Sequence, residues 1–385
     1  MEKIRVVHHA NQLGLGGTEK TMQLFCKYMD KNMFDVHVLT RKHPAPLTDI
    51  WMTNIKALLG RKKYKAKKSQ FEQAFRRAPD FKELLGPDNV HFYTLSSLPD
   101  IISKISPLIL HVHNSGIIEP PLDQPRAISQ IPAIFTTNVF GKLGRSPEQE
   151  RISKILFVSN WLKEYASWSE GDSRCDVLYN PIEKPLTDTN LRSELNIPED
   201  VFVIGRVGRN ASDIYDPISI KAYKEIETDA TLFLALSPPL QMVKDTKEIG
   251  IRNILFLEPS TNDLFLSRFY NTIDIFAHAR LDGETFGCAI AEAMIHGKPV
   301  VTHQSGIYNA QTEIIDDSCG FIADKDDFTA YAAFLKRLFE NRELRQQMGA
   351  AAHRKALMNF EAGVVTKKLE TLYLGELRKK GIGYK

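Results

Sequence analysis

Eleven short runs of β-branched and aromatic residues, from "IRVVHHA" at residue 4 to "KPVVTH" at residue 298, alternate with stretches of helical period. That alternation constrains the fold most, because strands separated by helices build parallel sheets through βαβ crossovers. Runs such as "PLILHVH" (107–113) and "VFVIGRV" (201–207) are apolar nearly throughout, as strands covered on both faces are. Eleven strands are too many for one comfortable sheet. The alternation breaks at "CDVLYNPIEKP" (175–185), where two prolines and a polar turn intervene. The expected class is α/β, with two doubly wound domains over 1–180 and 184–360. A helical tail over 361–385 is predicted to pack back on the first domain. Two such domains facing each other would enclose a cleft beyond the carboxyl ends of their strands.

The chain has 385 residues, 43% of them hydrophobic and 25% charged, enough for two real cores. Its net charge of +3 is the near-cancellation of 50 Lys+Arg and 47 Asp+Glu, so no global field calls for nucleic acid. The local exception is "RKKYKAKKSQFEQAFRR" (61–77). It is either a contact for acidic lipid headgroups or an anionic acceptor, or a solvated helix face. Cys26, Cys175, Cys288 and Cys319 are too scattered for a metal clamp and too few for a disulfide scaffold, which fits a reducing compartment. No apolar run reaches the length of about eighteen residues that a membrane span needs. The expectation is a cytoplasmic protein, at most peripheral to a membrane.

Four segments carry candidate chemistry. In "HHANQLGLGGTEK" (8–20) a strand runs into a glycine-rich turn and a helix beginning near Gly17. Gly16 and Gly17 let backbone approach a ligand, and the helix start offers N–H groups to an anion; a tight turn without a ligand is the other reading. Glu19 stands where a dinucleotide fingerprint needs its third glycine. "LILHVHNSG" (108–116) sets His111 and His113 on one face of a strand. His113 is read as a polar hand on a substrate or as a satisfied core histidine, and as a metal pair the two lack a convincing third ligand. "VFVIGRVGRNASD" (201–213) leads from a strand to Arg209, and a guanidinium there suits a diphosphate.

The fourth segment, "GETFGCAIAEAMIHGKPVV" (283–301), sets Glu284 outside an apolar helix and Glu292 two turns inside it. A helix starting near Phe286 or Gly287 would aim its first amides, around Gly287 and Cys288, at an anion. At about 1.5 Å per residue the two carboxylates stand roughly 12 Å apart along the axis. That exceeds the roughly 5–9.5 Å of a glycosidase pair. It suits a ligand with hydroxyls at both ends and negative charge between, such as a nucleotide sugar, while an ordinary amphipathic helix is the plain alternative.

Together, Glu284-x7-Glu292, "GGTE" (16–19), "HVHN" (111–114), "LYNPIE" (178–183) and "GRVGRN" (205–210) resemble the retaining glycosyltransferases of family 4. The resemblance implies a GT-B fold of two Rossmann-like domains. It implies that Glu292 binds the donor ribose, Glu284 the transferred sugar, and Gly287 and Cys288, with Phe286 beside them, the sugar and phosphate. Arg209 would hold the diphosphate with Gly16 and Gly17, and His113 would meet the sugar or acceptor at the reacting face. Residues 256–264 fall where the family forms part of its nucleobase pocket. Two positions depart from the pattern: Ile214 stands where the family has a lysine, and Asn138 where it often has a histidine. Arg206, helix amides or a lysine such as Lys221 would then share the diphosphate.

The expected activity is transfer of a hexose from a nucleoside diphosphate sugar, of GDP-mannose or UDP-glucose type, to an acceptor hydroxyl with retention. The acceptor would be a glycan, glycolipid or glycoprotein. No cofactor is expected, and metal independence follows because "DKD" (324–326) lies away from the diphosphate contacts. The rival readings are an epimerase or hydrolase on the same scaffold, and a non-catalytic nucleotide-sugar-binding module.

Overall fold

The computed structural model describes residues 2–383 except 44, 46 and 145; the side chains at 62, 66 and 114 also lie outside the described set. All eleven apolar runs form strands. In the first sheet, β1 (Ile4–Ala10), β2 (Phe34–Arg41), β3 (Val90–Tyr93), β4 (Ile109–Asn114), β5 (Ala133–Asn138), β6 (Lys154–Phe157) and β7 (Cys175–Val177) lie in the order β3-β2-β1-β4-β5-β6-β7. The strands that follow are β8 (Phe202–Val207), β9 (Thr231–Leu236), β10 (Ile254–Leu257), β11 (Ile275–Ala277), β12 (Gly283–Glu284), β13 (Val300–His303), β14 (Tyr308–Asn309) and β15 (Gly320–Ala323). Six of them form a second sheet in the order β10-β9-β8-β11-β13-β15, and β12 pairs with β14 apart from it. Every pairing is parallel.

Both large sheets reverse their winding beside the first strand, between β1 and β4 and between β8 and β11. Ligands of open α/β sheets bind beyond the strand ends at such a switch point. Four strands were not legible as apolar runs. β7 opens the segment where the alternation breaks, and β15 is the four-residue run "GFIA" just before "DKD". β12 and β14 span two residues each.

The described chain divides into two compact units. The first runs to Val158 and adds Lys163–Leu178 and the residues from Val365 onward; the second comprises Ser159–Leu162 and Tyr179–Val364. The central strands are apolar because both faces are covered: β5 is buried at all six positions. From the C-terminal helix Ala362–Lys379, Val365, Leu369, Tyr373 and Leu377 enter the first unit's core. Their spacing of four residues puts all of them on one helical face. Helix α1 (Gly17–Tyr28) adds Met22, Phe25 and Cys26 to that core. Helices α2 (Leu47–Leu58) and α3 (Lys62–Gln73) follow β2. The second unit closes on Ile204, Tyr223, Phe233, Ile275, Val301 and Tyr331. All four cysteines are free. Among the described residues no helix is long and apolar enough to cross a membrane.

Candidate functional site

In the second unit the polar side chains gather where β8, β11 and β13 end. Glu284 is held from its backbone outward. Its N–H donates to Gln311 Oε1 at 3.2 Å, and its carbonyl accepts from the Ala310 N–H at 2.9 Å. Gln311 is fully buried, and its Nε2 donates to the His303 carbonyl and Asn309 Oδ1. Gly283 adopts φ +69°, and a Cβ there would lie 1.7 Å from the Tyr308 carbonyl oxygen, so only glycine fits the β12–β14 pair. The Glu284 carboxylate is then fixed through one oxygen. Oε1 lies 3.0 Å from His278 Nε2 and 3.5 Å from Arg280 Nη1. Oε2 has no protein partner among the described residues. His278 bonds Thr302 Oγ1 through Nδ1, so its ring is braced from both ends.

The apolar helix spans Cys288–Ile295, with Gly287 as its N-cap at φ +100°. It therefore starts later than Phe286, and Glu292 lies one turn inside rather than two. The axial estimate of about 12 Å fails for the same reason, since only the four steps from Cys288 to Glu292 rise along a helix, about 6 Å. Phe286 is buried against Tyr179 and Phe360, which makes it an anchor for the turn. The Tyr270 hydroxyl donates to Glu292 Oε2 at 2.8 Å. Burial, with Glu292 and Glu284 nearby, pushes the Cys288 thiol well up; a thiol so held is a poor nucleophile.

The two arginines after β8 separate sharply. Arg209 is exposed on the turn, whereas Arg206, the second-last residue of β8, is 4% exposed. Of the three buried arginines among the described residues, Arg77 donates to Gln23 and Arg192 to Asp274 and two carbonyls. The Arg206 side chain makes no hydrogen bond among the described residues, and its Nη1 is buried without a partner. Its guanidinium lies 5.7 Å from the centre of the Tyr215 ring. Burial pushes its pKa down, and Arg280 nearby adds to that. A guanidinium nonetheless keeps its charge, so the second unit holds a desolvated cation with no anion at the end of its central strand. Lys221 is exposed on the helix Ile218–Lys224. Asn262, in the segment 256–264, caps the helix Asp263–Thr272 by accepting from the Phe265 N–H.

The remaining sequence candidates lie in the first unit. Gly16 is the N-cap of α1 and Gly17 its first residue. Glu19 Oε2 would stand 2.4 Å from a Cβ at Gly16, so a carboxylate already lies against that helix start. This opposes a second anion there. His113 is 1% exposed, with Nε2 bonded to His8 Nδ1 at 2.8 Å and Nδ1 to Thr137 Oγ1 at 3.3 Å. Burial pushes its pKa down to about 3. As it stands, the ring is spent inside the unit, as a core histidine is. His111 bonds Tyr373 OH at 2.6 Å and Thr137 Oγ1 at 2.9 Å.

His8 is the third histidine that the sequence did not offer, brought in by the register of β1 against β4, which pairs His8 with His111. Ligand atoms of His8, His111 and His113 lie within 4.8 Å of one another, close enough by distance to gather a metal ion. Five of their six ring nitrogens are hydrogen-bonded, the exception being His8 Nε2. A cation would have to break such bonds and enter a dry core on neutral ligands alone. The group acts as a polar clasp between β1, β4 and the C-terminal helix. Asn138 is likewise occupied: its Oδ1 accepts from the N–H groups of Phe140 and Gly141, and its Nδ2 donates to the Lys142 carbonyl.

Two parallel, doubly wound sheets of this order define the architecture of GT-B glycosyltransferases, and solved structures of that class match it. The glycosyltransferase of Rickettsia africae ESF-5 superposes with a TM-score of 0.74 at 15% identity, over 98% of this chain and 100% of that one. Anabaena Alr3699/HepE, solved with UDP-glucose, gives 0.69 at 16% identity over 96% and 99%. The second unit carries the family signal: residues 187–355 match the family model "Glycosyl transferases group 1". The capsular polysaccharide biosynthesis glycosyltransferase CapM of Staphylococcus aureus is 26% identical over 180 residues, 45% of this chain and 46% of CapM. A D-inositol 3-phosphate glycosyltransferase of Corynebacterium diphtheriae is 32% identical over 129 residues, 33% of this chain and 29% of that protein. The chain thus matches less than half the length of either relative.

Proposed function

We propose that this protein is a retaining glycosyltransferase that takes a hexose from a nucleoside diphosphate sugar and passes it to an acceptor hydroxyl without a metal ion. The observation that carries the reading is Arg206, a buried cation with no hydrogen bond, in a unit that matches the group 1 family. A diphosphate would supply the missing charge and acceptors. Because negative charge grows on that diphosphate as the sugar bond breaks, a preorganised cation there stabilises the transition state more than the ground state. The amides of Gly287 and Cys288 open the helix Cys288–Ile295 and add donors of the same sign. Arg209, exposed three residues on, is a secondary cation in this reading.

Glu284 and Glu292 take the neutral ends of the donor. Glu284, braced by His278 and with Oε2 unpartnered, is suited to hydroxyls of the transferred sugar. Glu292, braced by Tyr270, is suited to ribose. No protein nucleophile is invoked; the acceptor attacks on the face that the diphosphate leaves, and a phosphate oxygen takes its proton. HepE, which shares the fold and whose structure holds UDP-glucose, supports a nucleotide-sugar donor.

Calorimetric titration with UDP, GDP and uridine tests the reading. Arg206→Met is expected to weaken the preferred nucleoside diphosphate by more than tenfold, about 1.4 kcal/mol or more, and to leave the nucleoside unchanged. Arg209→Ala is expected to change both by less than threefold. Diphosphate affinity that survives in Arg206→Met and falls in Arg209→Ala would move the site to the exposed arginine. Loss of neither would remove the anion site from this strand end.

A further inference from the structure

Helix α2 is turned inside out. Its buried positions are Thr53 and Ala57, while Leu47, Trp51, Met52 and Leu58 are exposed at 63, 64, 40 and 83%, and Leu59, just beyond it, at 71%. At about 100° per residue, Leu47, Trp51 and Leu58 fall within an arc of roughly 40°, well away from Thr53 and Ala57. This is a continuous apolar stripe facing water. Isolated exposed leucines are ordinary; five large apolar side chains within thirteen residues are not.

The next helix supplies the charge. Residues 61–73, the helix with its N-cap, carry six Lys and Arg against a single Glu, in a chain whose net charge is only +3. Arg61, Lys63 and Lys65 are exposed, and Lys67 and Lys68 partly so. The two helices are joined through Lys56, whose Nζ donates to Tyr64 OH at 3.3 Å and lies 4.8 Å from its ring centre. The apolar stripe and the basic helix therefore belong to one hairpin.

We infer that the hairpin formed by α2 and α3 docks on a bilayer surface bearing anionic lipid, with Leu47, Trp51 and Leu58 inserted among the acyl chains and the α3 lysines on the headgroups. The charge complementarity selects this occupant: an apolar stripe flanked by flexible lysines matches an interface that is oily below and anionic above, and tryptophan favours that depth. A protein partner would instead call for a shaped apolar pocket, and the stripe is a convex helix face. Where the transferase reading above holds, a chain docked in this way would meet acceptors carried on lipid. The docking itself does not depend on that reading.

Flotation of the 385-residue chain with vesicles tests it without donor or acceptor, so failure here and failure of the transferase reading are separate results. Phosphatidylcholine vesicles with and without phosphatidylglycerol serve as the probes. Partitioning onto the anionic vesicles is expected to be at least twentyfold stronger and to fall steeply with salt. At about fivefold per lysine, Lys63→Gln/Lys65→Gln/Lys67→Gln/Lys68→Gln is expected to lose more than fiftyfold. Leu47→Ser/Trp51→Ser/Leu58→Ser changes only exposed side chains and is expected to lose more than twentyfold with its thermal unfolding unaltered. Equal binding to both vesicle types, or undiminished binding by the serine variant, overturns the proposal. So does a wild-type chain that ignores vesicles but self-associates through the stripe, as sedimentation velocity of the serine variant would reveal.

Discussion

Acidification should unfasten the first unit through its histidines. Burial pushes His9 and His113 down to about 3, and lowers His8 and His111 as well; the charges of Arg41 on His9 and Lys31 on His8 act in the same direction. Each is held neutral when folded and binds a proton more readily when unfolded. Their contribution is therefore whole above about pH 6.5 and is lost as the pH falls toward about 3. At about pH 5 one such histidine costs about 2 kcal/mol, so His9 and His113 together cost about 4 kcal/mol, a large part of the 5–15 kcal/mol typical of a domain. Because the chain has two units, the probe must be local. Urea unfolding read by hydrogen exchange of peptides covering β1 and β4 is expected to show the midpoint falling between about pH 7 and about pH 5. His9→Gln removes one titrating group, whose Nε2 bonds Tyr93 OH, and should reduce the loss by about 2 kcal/mol. Midpoints that do not move with pH, or a loss that is undiminished in His9→Gln, would refute the reasoning.

Two further outcomes concern the second unit. Glu292→Ala is expected mainly to raise the donor KM and to weaken free nucleoside diphosphate, while Glu284→Ala mainly lowers kcat and leaves nucleoside diphosphate affinity nearly unchanged; equal loss of nucleotide affinity in both, with both folded, would contradict the assignment of the two ends. Gly283→Ala forces a Cβ against the Tyr308 carbonyl at φ +69° and is expected to lower thermal stability by more than about 2 kcal/mol. Wild-type stability in that variant would mean that β12–β14 relaxes freely.

The sheets were legible because their inner strands are buried on both faces, which leaves an apolar run with no alternation to decode. β12 and β14 left no such trace: two residues cannot show a period, and their pairing rests on Gly283 and on Gln311, 27 residues beyond Glu284. The Glu284–Glu292 spacing was visible as local text, whereas the His278 that braces Glu284 becomes a neighbour only when β11 ends beside β12. His8 was missed for a related reason, since the β1–β4 register that seats it beside His111 is set by tertiary packing.

Arg206 was within reach of the sequence. It stands two residues after Ile204 in β8, on the same face of the strand as that core residue, whereas Arg209 lies beyond the strand. Strand period alone would thus have ranked the two arginines the other way. The two sheets share one winding, so fold alone does not distinguish their strand ends as anion sites, whereas their hydrogen bonding differs. At the switch point of the first sheet, His8, His111, His113, Thr137 and Tyr373 bond one another, and the one ring nitrogen left over belongs to a neutral imidazole. At the strand ends of the second, the unpaired nitrogens are His303 Nε2 and a nitrogen of a cation, Arg206 Nη1. A neutral nitrogen left dry costs about 1–3 kcal/mol and a charged one more, so of the two strand ends it is the one holding Arg206 that gains most from a diphosphate.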